Sequence, residues 1–239
     1  MAGAQAPERN GDHFVIELQG AGYSYDGTGL LSDLTTAFAP GSFQFLTGPS
    51  GAGKSTLLKL CYGELKPTKG AVLLDGRDSR QVGRDGLARL RRRIGVVHQD
   101  CQFVDHLTVR DNVALPLTVA GRDPAAEATN LDQLLGWVGL ANRANATPPQ
   151  LSGGERQRAA LARAIIMDPD VIIADEPTGN IDWEMSQRLL ALLAELNKLG
   201  KTILVATHDL ALIRAAKPLV AARVLRLAGG TLTTAGAEL

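Results

Sequence analysis

Eight consecutive residues, Gly48-Pro49-Ser50-Gly51-Ala52-Gly53-Lys54-Ser55, have the types and spacing needed to hold a phosphate chain. They fit the pattern G-x4-G-K-S/T, in which glycines let the backbone curl until successive N–H groups point inward at phosphate oxygens. A helix starting near Lys54 adds a partial positive charge of roughly +0.5 at its N-terminus. Lys54 would reach the β- and γ-phosphates, Ser55 would ligate Mg²⁺, and Thr56 follows in the same first turn. A second candidate is Val171-Ile172-Ile173-Ala174-Asp175-Glu176, an apolar run that ends in two acids. Such a run reads as a strand buried on both faces, and ligands sit at the carboxyl ends of parallel strands. Asp175 suits the outer coordination sphere of Mg²⁺, and Glu176 suits polarising an attacking water.

Strands and helices must bring these segments together, and the pattern supplies them. Phe14, Ile16 and Leu18 alternate with Val15 and Glu17 as in a half-buried strand. Strands are predicted at 43–47, 71–74, 94–97, 171–174 and 202–206, with helices at 54–60, 185–199 and 211–216. A hairpin is predicted around Gly229-Gly230. From about 105 to 150 the period is helical, ending at Thr147-Pro148-Pro149. The alternation implies an α/β fold with a largely parallel sheet, interrupted by a helical insertion. Residues 1–12 read as a disordered polar tail and 233–239 as a short one, flanking a single domain over 13–232.

Composition narrows the function classes. The chain has 239 residues, 45% hydrophobic and 21% charged, which excludes a disordered chain. Its 25 Lys and Arg balance 25 Asp and Glu, so no net field favours nucleic acid. Cys61 and Cys101 stand far apart, indicating neither a disulfide framework nor a zinc site. The opening residues lack the apolar stretch of a signal peptide, and no run of roughly 18 apolar residues could cross a bilayer. A membrane role would therefore come through a partner. The basic cluster at Arg89 and Arg91 to Arg93 reads as a solvated helix end, with phospholipid or partner contact as the alternative. Trp137, Trp183 and Cys61 read as packing residues.

Leu151-Ser152-Gly153-Gly154-Glu155-Arg156-Gln157 is the most selective segment. A chance match to its first five residues has a probability on the order of 10⁻⁴. A Ser cap alone does not explain two glycines in the first turn, where they disfavour helix. Here the chain resembles the ATP-binding cassette (ABC) ATPases, whose signature this is. Other pieces match in order: Gln99 the Q-loop, Thr178 to Asp182 the D-loop, His208 the switch histidine, and Tyr25 the adenine-stacking aromatic. The resemblance covers about 14–230. It implies a P-loop NTPase core with an antiparallel β-subdomain and an inserted helical subdomain at about 103–155.

The resemblance further implies two cassettes closing head to tail, each ATP lying between one phosphate loop and the partner's Ser152, Gly153 and Gly154, with Asp182 beside it. Glu176 would be general base, His208 would contact the γ-phosphate, and Gln99 would touch Mg²⁺ and water. Asn197-Lys198-Leu199-Gly200 lacks the acid a guanine site needs. Ala174 to Asn180, Phe45 to Lys54, Arg91 to Val97 and Leu107 to Leu117 resemble the branch that holds the FtsE, LolD and MacB groups, and most of all the FtsE group. His98 and Ile181 depart from that pattern, where Phe and Leu are common. The implied partner is a membrane subunit of the FtsX type on the cytoplasmic face, acting indirectly on peptidoglycan hydrolases. A lipoprotein-release or macrolide-type transport ATPase is the alternative, and a poorly hydrolysing nucleotide switch a third reading.

Overall fold

The computed structural model describes residues 15–179 and 181–234. The expected N-terminal tail, Phe14, Asn180 and most of the short C-terminal tail lie outside them. Two sheets form. Strands β1 (Ile16–Tyr25), β2 (Thr28–Phe38), β4 (Lys69–Leu74) and β5 (Arg77–Asp78) make an antiparallel sheet in the order β2-β1-β4-β5. Strands β3 (Phe43–Thr47), β6 (Ile94–Val97), β7 (Val171–Asp175), β8 (Thr202–Ala206), β9 (Ala222–Ala228) and β10 (Thr231–Thr234) make the second, in the order β10-β9-β3-β8-β7-β6. Its strands are parallel except for the β9–β10 hairpin. Every residue of β3 and β8 is buried, Gln44 of β3 included, and β8 accordingly reads as an apolar run from Ile203 to Ala206 rather than as an alternation.

Seven helices complete the described residues: α1 (Lys54–Cys61), α2 (Arg84–Arg91), α3 (Val109–Val119), α4 (Ala128–Trp137), α5 (Gly153–Ile165), α6 (Trp183–Lys198) and α7 (Leu210–Ala216). One core joins the antiparallel sheet to α1 and one face of the parallel sheet, through Leu18, Phe38, Leu46, Leu57 and Leu204. A second lies on the other face, where Phe43, Phe45 and Ile172 meet Leu189 and Leu193 of α6. Truncating one such leucine to alanine costs about 2–5 kcal/mol. A third cluster, Val113, Leu117, Leu131, Leu135 and Ala159, binds α3 and α4 to α5.

Several expectations need adjustment. β2 has no counterpart among the elements expected from the sequence, and of α2 only the end near Arg89 and Arg91 is expected there. Trp137 and Trp183 are 37% and 45% exposed rather than packed inside, although the Trp137 indole donates to Glu195 at 3.2 Å. The arginine cluster is split in role. Arg91 donates to the Tyr62 and Gly63 carbonyls, and Arg93 bridges Asp75 and Asp170, so these two tie α2 and β6 to the core. Cys61 is fully buried, and burial pushes its thiol pKa up, as expected of an inert core residue.

Candidate functional site

Strand register assembles the site. Leu46 and Asp175 both pair with Ala206, and Val97 pairs with Ala174, so β3, β6, β7 and β8 end at one level. The Glu176 N–H donates to the Ala206 carbonyl and the Thr207 N–H to the Leu46 carbonyl, carrying the ladder one residue past the strands. Chain leaving these ends therefore delivers Gly48, Gln99, Glu176 and His208 to one edge of the sheet. Pro49, Ser50, Gly51, Gly53, Lys54, Ser55, Thr56, Gln99, Glu176, Gly179 and His208, together with Leu30, line one cleft of about 650 Å³. That is room for a nucleotide-sized ligand.

Gly48, Gly51 and Gly53 all have positive φ, at 154°, 78° and 99°. A Cβ at Gly48 would stand 2.2 Å from the Leu227 carbonyl oxygen, a backbone atom that cannot yield. Gly53 is the N-cap of α1, and no side chain caps this end, which leaves first-turn amides for a ligand. The buried Lys54 ammonium bends back to donate to the carbonyls of Gly48 (3.0 Å) and Pro49 (3.3 Å). Its charge is thus held over the loop in advance.

Glu176 sits in the left-handed region, φ 44°, a strained place for a non-glycine residue and a common feature of reactive sites. Its Oε1 accepts from His208 Nδ1 at 2.9 Å and lies 3.7 Å from Lys54 Nζ. The carboxylate is mostly buried, whereas the His208 side chain is 70% exposed. Beside them, Asp175 Oδ1 is buried without a hydrogen-bond partner. Burial pushes the Asp175 carboxyl above the usual range, a Ser55 hydrogen bond pulls it back, and the Glu176 charge raises it further. An orphaned carboxylate oxygen beside a hydroxyl fits Mg²⁺, which takes few protein ligands and completes its shell with phosphate and water. Among the described residues no cluster of three or more His, Cys, Asp or Glu could hold a metal by itself.

The remaining predicted residues lie apart from the cleft lining. Tyr25 ends β1, 48% exposed, edge-on to Tyr23 at 4.8 Å. Ser152 is the N-cap of α5, where its hydroxyl accepts from the Glu155 N–H and Glu155 accepts in return from the Ser152 N–H at 2.8 Å. Gly153 is exposed at that helix start, while Gly154 is buried, where a Cβ would meet the Met185 side chain at 3.0 Å. Asp182 caps α6 by accepting from Met185 N–H at 2.9 Å. Leu30 escapes a reading of the sequence because β2 does, although Asp26-Gly27, both at positive φ, carries the hairpin signal.

Comparison with known proteins decides what this arrangement is. The family model described as ABC transporter matches residues 31–179. The chain belongs to that family. As an ABC ATPase it binds and hydrolyses ATP. It is 41% identical over 209 residues to the cell division ATP-binding protein FtsE of Bacillus subtilis (strain 168), covering 87% of this chain and 92% of that protein. FtsE of Haemophilus influenzae is 44% identical over 202 residues, covering 84% and 93%. Methionine import ATP-binding protein MetN 2 of Burkholderia mallei is 42% identical over 84% of this chain, but only 52% of that protein is spanned. Among solved structures, a dimeric post-hydrolysis state of the ATP-binding cassette MJ0796 bound to ADP and Pi superposes with a TM-score of 0.81 at 32% identity, covering 92% of this chain and 98% of that one. The fold of this ABC cassette is therefore the nucleotide-binding domain of the family.

Proposed function

We propose that this ATPase works as a homodimer with two ATP molecules at the joint, coupled to a membrane subunit of the FtsX type, and that it acts in cell division by controlling peptidoglycan hydrolysis. One observation carries the reading. Each chain holds only half a phosphate site, because Lys54, Glu176 and His208 face one cleft while Ser152 and Gly153 stand exposed elsewhere at the start of α5. A second copy, facing the first, supplies the missing donors. The dimeric form of the related cassette MJ0796 supports this pairing.

In this reading residues 13–232 work as one ATPase domain whose helical part spans about 103–155. ATP lies along Gly48 to Thr56, with Tyr25 against the adenine and Asp182 at the seam. Ser55, Asp175 and Gln99 would hold Mg²⁺, which supplies charge neutralisation on the phosphates. Lys54 binds phosphate, Glu176 takes or orients the proton of the attacking water, and His208 contacts the γ-phosphate from the outside. Closure and opening of the joint then follow the nucleotide state, because only the triphosphate ties the two copies together.

Coupling to a membrane subunit is supported by an apolar groove of about 410 Å³ lined by Arg92, Gly95, Pro116, Val119 and His98, the residue before Gln99. Val119 is 76% exposed there, and among the described residues no helix is long and apolar enough to cross a membrane. The chain would sit peripherally on the cytoplasmic face, held by that partner. The division reading is preferred to transport because the FtsE relatives match over nearly their full length, whereas the methionine importer extends far beyond this chain.

The test is Glu176→Gln in the presence of Mg·ATP. The variant should bind ATP, hydrolyse it ~10²–10⁴ times more slowly and accumulate as a dimer on size-exclusion chromatography. Normal turnover would remove Glu176 from its role, and an ATP-loaded monomer would remove the dimer. Depletion in cells should give filaments or failed separation, and normal septation would return the reading to transport.

A further inference from the structure

We propose that Arg163 is a positioning residue for hydrolysis, which holds the backbone that follows Gln99. The inference rests on the reading of Gln99 as a γ-phosphate-side residue. Immediately after Gln99 and Asp100 the chain does something unusual. Cys101 and Gln102, neither of them glycine, occupy the left-handed region in succession, with φ 56° and 45°. L-residues visit that region as single positions and rarely as pairs. Their own turn contributes two backbone bonds, Cys101 N–H to the His98 carbonyl at 3.0 Å and Gln102 N–H to the Asp100 carbonyl at 2.6 Å. The carbonyls of both strained residues point the other way, at one guanidinium.

That guanidinium is Arg163, in the last turn of the signature helix α5. Its Nη2 donates to the Cys101 carbonyl and its Nη1 to the Gln102 carbonyl at 2.8 Å, while its central carbon lies 4.7 Å from the centre of the Phe103 ring. Three successive residues are thus engaged by one planar fork, a geometry that lysine cannot reproduce. The side chain is partly buried, and burial pulls its pKa below the usual arginine value. Its partners are two carbonyls and an aromatic face rather than a carboxylate, so its cost of burial is offset only while the loop keeps this shape. The other end of the segment is anchored by the same helix, since the buried Gln157 donates from Nε2 to the Gln99 carbonyl at 3.4 Å. Helix α5 therefore grips the Gln99 segment at both ends, through Gln157 and Arg163 rather than through the glycines at its start.

Steady-state Mg·ATP hydrolysis and melting temperature of the full chain test this with Arg163→Ala, Arg163→Lys, Gln99→Ala, and Arg163→Ala combined with Gln102→Gly. Arg163→Ala should lower kcat at least tenfold and leave KM for ATP within twofold, because the phosphate loop is untouched. Arg163→Lys should recover less than half of that loss. The exposed Gln102 side chain buries nothing, and glycine accepts φ 45° without strain, so Gln102→Gly should reduce the loss caused by Arg163→Ala at least threefold. Equal losses in the two backgrounds, or a folded Arg163→Ala with kcat within twofold of the parent, overturn the proposal. Should Arg163→Ala fail to fold, Arg163→Lys carries the same comparison. If Gln99→Ala keeps full kcat the reading of Gln99 fails, whereas loss in Gln99→Ala without loss in Arg163→Ala sinks the role of Arg163 alone.

Discussion

Helices α1 and α5 both begin beside glycines and, in the proposed dimer, both offer amides to phosphate, yet they are finished in opposite ways. The start of α1 has no side-chain cap, its N-cap Gly53 is left-handed, and the Lys54 ammonium folds over the loop. The start of α5 is closed on itself by the reciprocal Ser152–Glu155 capping box. A capped terminus is stable in isolation, and Ser152 still has its hydroxyl proton to donate outward. An uncapped one is finished by its ligand. In the proposed dimer the difference separates the half of the site that depends on nucleotide, α1, from the half that waits for a second protein, α5.

The sharpest way to break this comparison is to put the same methyl group into the loop that leads to α1 and into the first turn of α5. Gly48→Ala drives a Cβ to 2.2 Å from the Leu227 carbonyl oxygen, where backbone must move. Overpacking of that kind costs about 1–3 kcal/mol, and in a chain of this size each kcal/mol lowers Tm by roughly 2–4 °C. Equilibrium binding of a fluorescent ATP analogue should fall by more than ~100-fold in a protein with a visibly lower Tm, since a distorted loop loses several amide contacts at once. Gly154→Ala meets only the flexible Met185 side chain at 3.0 Å, and alanine favours helix where glycine does not. That variant should keep its Tm and bind nucleotide normally as a monomer, while losing ATP-dependent dimerisation. Equal effects at the two positions would erase the distinction.

A smaller change sharpens it. Ser152→Ala removes the α5 cap at a cost of about 0.5–2 kcal/mol, seen as a fall of a few degrees in Tm. Binding of ATP to the isolated chain should stay within twofold, and the ATP-dependent dimer measured by analytical ultracentrifugation should weaken. A monomer that loses ATP affinity in this variant would place Ser152 in its own chain's cleft.

Much of this contrast is legible from residue types, and what escapes has physical reasons. Strands 43–47, 94–97 and 202–206 can be placed to the residue because strands buried on both faces leave an apolar run with sharp polar ends. The phosphate loop and the signature are legible because their backbone geometry demands glycine at fixed spacing. β2 escapes because only three of its residues are buried and Asp33, at φ 51°, interrupts its alternation. α2 is legible only at its basic end, because Leu90 alone is buried along the helix and Gly86 interrupts it. The grip of Arg163 is invisible for a different reason: its partners are main-chain carbonyls about 60 positions away, and a carbonyl has no letter in the sequence.

The finest test concerns charge in the capping box. The Glu155 carboxyl is held below the usual carboxylate range, first by the Ser152 N–H and then by Arg143. Because its folded pKa is depressed, the stabilisation is fully present above the ordinary Glu value of about 4.3 and is lost as pH falls through the lower folded value. Glu155→Ala should therefore lower Tm by one or two degrees at neutral pH, in keeping with a single acid at a helix start worth about 0.3–1 kcal/mol. The gap should persist at pH 5 and shrink as pH falls below the ordinary Glu value and through the lower folded one. No acid stands in the first turn of α1 itself, so a charged cap of this kind has no counterpart there. A gap at Glu155 that stays constant down to pH 3 would mean that α5 is held by packing rather than by its charged cap. The two helix starts would then differ in glycine geometry alone.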